Sequence, residues 1–584
     1  MLTEDDAIAM MIHRSAFKAV SRAFKPYVAA YLAVIVLILS ATALSLLTPY
    51  LFKIFIDKGL TQGNYHAMCS SLIALGCATV CGLLIQIALD AIHEYVGAHF
   101  TRRLREHLFR TLLYIPIDTR LSYTRGDLYS RLMSDSGEVY GIIVSIFIGA
   151  LGESAMLCGV TICMLRISLR ISLYLLLAGI PIMVVIGVTS NGLTHRNLDL
   201  KAAKAILSEF ILERLGAMDL VRSFLRQQHE LRGFDTKSRD VIRATFRSVR
   251  LRFGSGFGIN ATVGLAVVGS LYAGGCMVLG GRLTVGGLIA LYMYAGKLFA
   301  PVQSLSHRTL GFYSRCASLQ RIGELLALES CPAVGVAATL QPKTGPPPSI
   351  SCSGLSFQYD ESVTPVFSDF GFDVLPGTKL ALIGPSGSGK TTLLKMLAGY
   401  LHPTNGSIVI DGLDATAMTF EEHYTLVGFI GQEVELLNLS IADNIRYGCL
   451  NATDEEVDYV VERARLSDLV SSLPQGLDTR VGVGGCRLSR GQRQRLAIAR
   501  LLLTPSNIWL LDEFTSSLDE TTESEVLDAL EECWQDKTVI IVSHRPSILT
   551  RVSHVLQIGS TAQIATRCSS ALLQNVHVAA CGRS

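Results

Sequence analysis

The sequence predicts an α-helical membrane bundle of six spans with cytoplasmic helical extensions, followed by an α/β domain built around a phosphate-binding loop. Three observations predict it. Six apolar runs, each close to the ~20 residues that a bilayer crossing needs, lie before residue 310. A stretch rich in Pro and Gly, 331–349, then ends that pattern. Beyond it, the short apolar strand Leu380-Ala-Leu-Ile383 runs directly into Gly384-Pro385-Ser386-Gly387-Ser388-Gly389-Lys390-Thr391, and a helix-forming run starts at Thr392.

Composition agrees with this division. Of 584 residues, 49% are hydrophobic and 17% charged, where soluble domains carry about a quarter charged. Mean hydropathy is +0.40. A net charge of +2 gives no global basic field for nucleic acid. The 14 cysteines form no CxxC pair and no Cys/His cluster of metal spacing. Several lie within apolar runs, where buried thiols serve as small apolar residues. The first residues, with Arg14, Lys18, Arg22 and Lys25, are too polar for a cleavable signal peptide and read as an amphipathic segment on the membrane surface. The expected domains are therefore 1–26 (amphipathic segment), 27–330 (transmembrane), 331–349 (linker) and 350–584 (nucleotide-binding).

The spans are expected at 27–48, 69–91, 139–165, 171–188, 257–279 and 285–305. Connections after the first, third and fifth are short. Those after the second and fourth are long and basic, with Arg102, Arg103, Arg105, Arg110, Arg120, Arg125 and Arg131 in one. The other begins with Arg196, Lys201, Lys204, Arg214, Arg222, Arg226 and Arg232. Cationic loops stay in the cytoplasm, which places both long loops and both termini there. Arg166 and Arg170 oppose the rule but are too few to reverse it. Leu104, Leu108, Leu112 and Ile115 repeat at helical spacing, so the loops read as helices continuing past the membrane. Turns are expected after Pro116 and near 212–221, as elbows toward a cytoplasmic motor.

Two ionisable residues fall in mid-span, Glu153 and Lys297. A charge at the bilayer centre costs roughly 2.5–3.5 kcal/mol on insertion scales and normally faces a cavity or a partner. They are candidates for a substrate pathway, pairing with each other. An ion pair that only fixes helix packing is the equal alternative.

In the second domain, glycines let the backbone N–H groups of residues 384–391 wrap around phosphates at a helix N-terminus. Lys390 is placed to reach the β- and γ-phosphates, and the Thr391 hydroxyl to hold Mg²⁺. Ile508-Trp-Leu-Leu-Asp512-Glu513 reads as a buried strand ending in two carboxylates. Asp512 suits the magnesium shell, and Glu513 suits polarisation of an attacking water. Leu488-Ser489-Arg490-Gly491-Gln492 opens a further helix, a second phosphate-binding terminus.

With these motifs assembled, the chain resembles the ATP-binding cassette (ABC) transporters, specifically exporter-type half-transporters that fuse a membrane domain to a P-loop NTPase domain. The resemblance covers nearly the whole chain. It implies that Tyr359 stacks on adenine and that residues 384–392, ending in Thr391 and Thr392, hold ATP with Mg²⁺. It implies that Gln432 contacts the metal and the attacking water, and that His544 contacts the γ-phosphate. Ser489, Gly491 and Gln492 correspond to the signature that closes on ATP held by a second subunit, and Ser516–Asp519 to a loop crossing that interface. Residues 102–135 resemble the first cytoplasmic loop of exporters, and 283–305 their sixth span. Arg490 stands where the signature usually has glycine, and the segment before it lacks the usual glutamate and arginine.

One phosphate loop and one signature per chain imply a partner half-transporter, favouring a homodimer over a heterodimer because Lys390, Asp512, Glu513 and His544 are all present. The expected function is ATP-driven export or lipid flipping by alternating access in a bacterial-type inner membrane. The alternatives are an importer of the same fold, as for siderophores, and an ATP-gated channel or sensor.

Overall fold

The computed structural model describes residues 20–328 except 23, 116–122 and 144–148, residues 346–559 except 360–364, 417 and 419, and the pair 567–568. Most of the expected amphipathic segment, the turn after Pro116 and most of the linker lie outside the described residues. The chain divides into two compact units that meet in sequence at residue 330.

The described residues of the first unit form helices and their short connections, without a strand. Helix α1 (Val28–Ile54) continues as a π-helix over Phe55–Thr61, and α2 (Tyr65–Tyr114) starts at an Asn64 cap. Beyond residue 122 come α3 (Arg125–Ser130), a π-helical turn over Arg131–Asp135, and α4 (Ser136–Ile143). Helices α5 (Ala150–Ile167), α6 (Leu169–Leu177) and α7 (Gly179–Gly216) follow. A short α8 (Met218–Ser223) separates α7 from α9 (Gln227–Leu279), and α10 (Val285–Ala327) completes the unit. Six of these stretches are long and apolar enough to cross a membrane.

Local sequence accounts for the breaks. Pro181 has no N–H for the carbonyl four residues back, and the fourth span is interrupted at Ala178 accordingly. The second elbow falls inside the expected window, at Ala217 between α7 and α8. Thr284 caps α10 by accepting from the Gly287 N–H, and Asp57 joins it, accepting from the Thr284 hydroxyl at 2.7 Å and the Gly286 N–H at 2.8 Å. Leu104 and Leu108 are buried with Phe100, Ile322 and Leu325, so the helical spacing read in the first long loop is a packed face. The cysteines depart from expectation: Cys77, Cys81, Cys158 and Cys276 are exposed on the chain surface rather than buried. A thiol is apolar enough for the outer face of a span, so an apolar run alone does not say which way it points.

The second unit holds two sheets. An antiparallel sheet has the order β2-β1-β4-β5, from β1 (Ile350–Phe357), β2 (Phe367–Val374), β4 (Asn405–Ile410) and β5 (Leu413–Asp414). The larger sheet has the order β10-β9-β3-β8-β7-β6. Its strands are β3 (Lys379–Ile383), β6 (Val427–Ile430), β7 (Ile508–Asp512), β8 (Thr538–Val542), β9 (His554–Gln557) and β10 (Arg567–Cys568). From β9 to β6 these strands run parallel. Every residue of β7 and β8 is buried, as continuous apolar strands covered on both faces must be. The helices that matter below are α11 (Lys390–Leu397), α12 (Arg490–Leu502) and α13 (Glu520–Trp534).

Candidate nucleotide site

Parallel α/β sheets bind ligands beyond the carboxyl ends of their strands, and here four adjacent strands deliver chemistry to one such edge. β3 leads into the glycine loop, β8 into His544, β7 into Asp512 and Glu513, and β6 into Gln432. The side chains arrive from positions far apart in sequence because the strand order, not the chain order, makes them neighbours.

Glycine is required in the loop itself. Gly389 has φ 92°, and a Cβ there would lie 2.6 Å from the Phe367 ring. At Gly384 a Cβ would lie 2.3 Å from the Ile558 carbonyl oxygen. The loop tip, Pro385, Ser386 and Gly387, is exposed. Lys390 folds back into the loop, its Nζ donating to the carbonyls of Gly384 at 2.7 Å and Pro385 at 2.8 Å. Burial lowers its pKa, with Glu513 and Asp512 acting in the other direction. The ammonium is thus held by weak neutral acceptors that phosphate oxygens outcompete as charged ones.

Asp512 is 1% exposed. Burial raises its pKa, against the hydrogen bond from the Thr391 side chain, while Glu513 adds to the rise. Its Oδ2 is buried with no hydrogen-bond partner among the described residues, as is Ser388 Oγ in the loop. Buried polar atoms left unpaired are costly in a folded protein. An orphaned carboxylate oxygen beside a threonine hydroxyl is a hard-oxygen donor set that fits Mg²⁺, and Ser388 Oγ fits a phosphate oxygen.

Glu513 sits one residue past the strand with φ 47°, an uncommon conformation for a residue with a side chain. Its N–H donates to the Val542 carbonyl at 3.0 Å, pinning it to the neighbouring strand end. Gln432 Nε2 donates to Glu513 Oε2 at 2.9 Å. Backbone strain of about 1–3 kcal/mol is typical where surroundings over-determine a functional residue. Tyr359 lies at the rim, its hydroxyl 3.2 Å from that of Thr392 and its ring edge-on to Phe357 at 4.9 Å. His544 is exposed at the end of β8.

The signature residues bond to one another. Ser489 caps α12, its Oγ accepting from the Gln492 N–H at 3.2 Å, while Gln492 Oε1 accepts from the Ser489 N–H at 2.8 Å. This reciprocal pair satisfies two donors of the helix start and leaves the terminus exposed. Gly491 is required by close packing, since a Cβ there would come within 2.9 Å of the Ser517 carbonyl oxygen. Arg490 is exposed at the first helical position.

Three residues escaped the sequence reading. Gln494, 2% exposed, donates to Ser516 Oγ at 3.1 Å and accepts from the Ser517 N–H at 3.0 Å, tying α12 to the loop at 516–519. Glu523, also buried, takes an ion pair from Arg545 at 2.8 Å and a hydrogen bond from Thr515 at 2.6 Å. Arg545 reaches the Ser516 carbonyl at 3.1 Å as well, linking the segment after His544 to the same loop. Polar residues on amphipathic helices read as solvated faces, and adjacency to a motif is the one signal the sequence offered. Asp519, which caps α13, is held well below the usual carboxylate range by the Thr521 hydroxyl and then by Thr522.

In the membrane unit, Lys297 Nζ donates to Ser45 Oγ at 2.5 Å, and Glu153 accepts from the Ser304 hydroxyl. The expected Glu153–Lys297 pair is therefore not formed. Each side chain instead bonds a hydroxyl, Ser45 on α1 and Ser304 on α10.

Comparison with known proteins agrees with both units. Residues 31–302 match the family described as ABC transporter transmembrane region, and residues 367–516 the family described as ABC transporter. The chain is similar to the ATP-dependent lipid A-core flippase of Vibrio vulnificus, at 26% identity over 93% of the chain and 92% of that protein. It is 29% identical to ABC transporter B family member 1 of Dictyostelium discoideum over 94% of its own length, and spans 60% of that relative. Its fold is similar to that of a bacterial Atm1-family ABC exporter with ATP bound, with a TM-score of 0.80 and 23% identity over 95% of the chain and 98% of that structure. Carrying its membrane helices and its ATP-hydrolysing cytoplasmic domain in one polypeptide, this chain belongs to the ABC transporters, with the exporter-type half-transporter arrangement that couples ATP hydrolysis to transport across a membrane.

Proposed function

We propose that two copies of the chain form an exporter or lipid flippase of the inner membrane, working by alternating access. The observation that carries this reading is that a carboxylate positioned for hydrolysis, Glu513 held by Gln432, shares a chain with six membrane-long helices. A single chain holds every group of the nucleotide site, so two identical copies make two complete sites, and closed two-fold symmetry is the commonest assembly. The similarity to a protein named as a lipid A-core flippase supports an amphiphilic cargo.

In this reading the glycine loop and Lys390 bind the ATP phosphates, Tyr359 stacks on the base, and Thr391 and Asp512 hold Mg²⁺ with Gln432. Magnesium, when bound, neutralises charge on the β- and γ-phosphates. Glu513 orients and deprotonates the attacking water, and Gln432 keeps its carboxylate aimed. His544 contacts the γ-phosphate, while Ser489, Gly491 and Gln492 close over ATP held by the second copy. Closure by ATP is a population shift and requires that the nucleotide bind the closed pair more tightly than the open one. Glu153 and Lys297 line the cargo pathway.

The test is ATPase stimulation and vectorial movement in liposomes, with lipids, peptides, drugs and metal chelates as cargo classes. Stimulation by an amphiphile and its movement away from the nucleotide-exposed side are expected. Accumulation in the opposite direction, or none by any class, overturns the reading.

A further inference from the structure

We infer that the helix pair α7–α9 carries a binding site for a phosphate-bearing anion, filled by the headgroup of an anionic phospholipid in the cytoplasmic leaflet. The inference is independent of the cargo. A cavity of 370 Å³ lies between these two helices, lined by Arg196 and Asp199 from α7 and by Asp240, Arg243, Ala244 and Arg247 from α9. The pair is fixed at this level by buried Ser248, whose hydroxyl donates to Asn197 Oδ1 at 2.9 Å. The recess is therefore built by two helices locked in register, not by a single charged face.

Its charge is suited to an anion. Arg243 pairs with Asp240 at 3.1 Å and Arg196 loosely with Asp199 at 3.9 Å, all four side chains being largely exposed. Exposed pairs of this kind are weak and exchange readily. Arg247 makes no ion pair among the described residues and is open to solvent. Around the cavity, 195–204 and 232–252 together hold ten Lys and Arg against three Asp. Retention of the loop in the cytoplasm needs only such charge; it does not need three guanidinium groups converging on one recess.

Depth selects the source of the anion. Arg196 lies seven residues past Thr189, where the candidate span that includes the start of α7 ends, about 10 Å along a helix. Helix side chains lean toward the N-terminus, here toward the membrane. Arg247 lies level with Arg196, since their neighbours Ser248 and Asn197 are hydrogen-bonded across the pair, and precedes Phe253 by six residues, about 9 Å along a helix. On a neighbouring strip of α9, Phe246, Phe253 and Phe257 are 68%, 75% and 78% exposed, an apolar surface beside the basic face that suits lipid chains. Basic pockets between membrane helices on the cytoplasmic side bind anionic headgroups by this combination.

The test uses the full chain in vesicles of phosphatidylcholine, of phosphatidylcholine with phosphatidylglycerol, and of phosphatidylcholine with inorganic phosphate in the buffer. Lipid retained per copy is counted by native mass spectrometry, and thermal midpoints are read in each. The wild type is expected to retain phosphatidylglycerol selectively and to be stabilised by it. The Arg243→Gln/Arg247→Gln variant is expected to lose affinity by about fivefold per arginine, and Arg243→Lys/Arg247→Lys to recover most of it. Should the double variant fail to fold, Arg247→Gln alone must show the same direction. An Arg232→Gln/Lys237→Gln control, outside the cavity, should retain lipid as the wild type does. Equal loss in that control, or no preference for phosphatidylglycerol in the wild type, overturns the site. Equal stabilisation by inorganic phosphate overturns the lipid assignment.

Discussion

Two lysines show how differently the two halves of this protein use the same side chain. Lys390 is anchored by carbonyls five and six residues away, at the start of a helix, in a loop where Gly384 and Gly389 leave no room for side chains. Lys297 is anchored by the hydroxyl of Ser45, 252 residues away, on another span. The nucleotide half does its chemistry with local backbone geometry and strand ends. The membrane half does it with contacts between helices that are remote in sequence. Substitutions in the first should therefore change a defined step by a large factor, and substitutions in the second should change selectivity by a small one.

The largest effect belongs to Glu513→Gln. Losing a positioned general base lowers turnover by about 10²–10⁴-fold, while ATP binding remains and the two copies stay closed around it. Phosphate release and size-exclusion chromatography in ATP measure the two parts. Turnover at the wild-type rate would remove Glu513 from the reacting centre. Next is Lys390→Ala, which deletes a charged donor to the phosphates. A hydrogen bond to a charged group contributes roughly 1.5–3 kcal/mol, so nucleotide affinity should fall by about 10–100-fold, read from a titration with a fluorescent ATP analogue. If affinity holds and only turnover drops, Lys390 acts on the transition state alone.

The same contrast explains what could be read before the fold was known. The glycine loop, Asp512 and Glu513 are legible because strand, turn and helix are contiguous, and periodicity plus glycine spacing specify the backbone. The six spans are legible from apolar length, and Leu104 and Leu108 from their helical repeat. Gln494, Glu523 and Arg545 were not legible, since what they do depends on α12, the loop at 516–519 and the end of β8 meeting in space. For the same reason the Glu153–Lys297 pairing failed. Which faces of two spans meet is set by packing, which one sequence does not show.

Glu153→Gln and Lys297→Leu sharpen the contrast from the membrane side. Both leave the nucleotide site untouched, so basal ATPase activity should be unchanged. Lys297→Leu removes a charge-bearing hydrogen bond and Glu153→Gln the charge on one, and cargo-stimulated activity should shift by about fivefold, the equivalent of roughly 1 kcal/mol, with the order of preferred cargoes altered. Identical preference in both variants, at equal expression, would assign the two residues to helix packing instead.

Arg490 should have the smallest effect, although it stands in the motif proposed to face the partner copy. It is the first residue of α12, after a Ser489 cap with φ −64° and ψ 162°. It holds ordinary helical backbone, so no glycine is required there, unlike Gly491 with Ser517 behind it. Replacing it with glycine frees the backbone at a helix end, at a cost of no more than about 1 kcal/mol, and leaves the N–H groups of the terminus in place. Steady-state ATPase activity of Arg490→Gly should therefore stay close to wild type. Arg490→Glu should lower it several-fold, because it sets a carboxylate where the helix start meets a phosphate. A large gain in Arg490→Gly would mean that the guanidinium obstructs closure of the two copies. A large loss would mean that it has become an anion contact in its own right, and that this signature binds phosphate with a side chain where backbone N–H groups suffice.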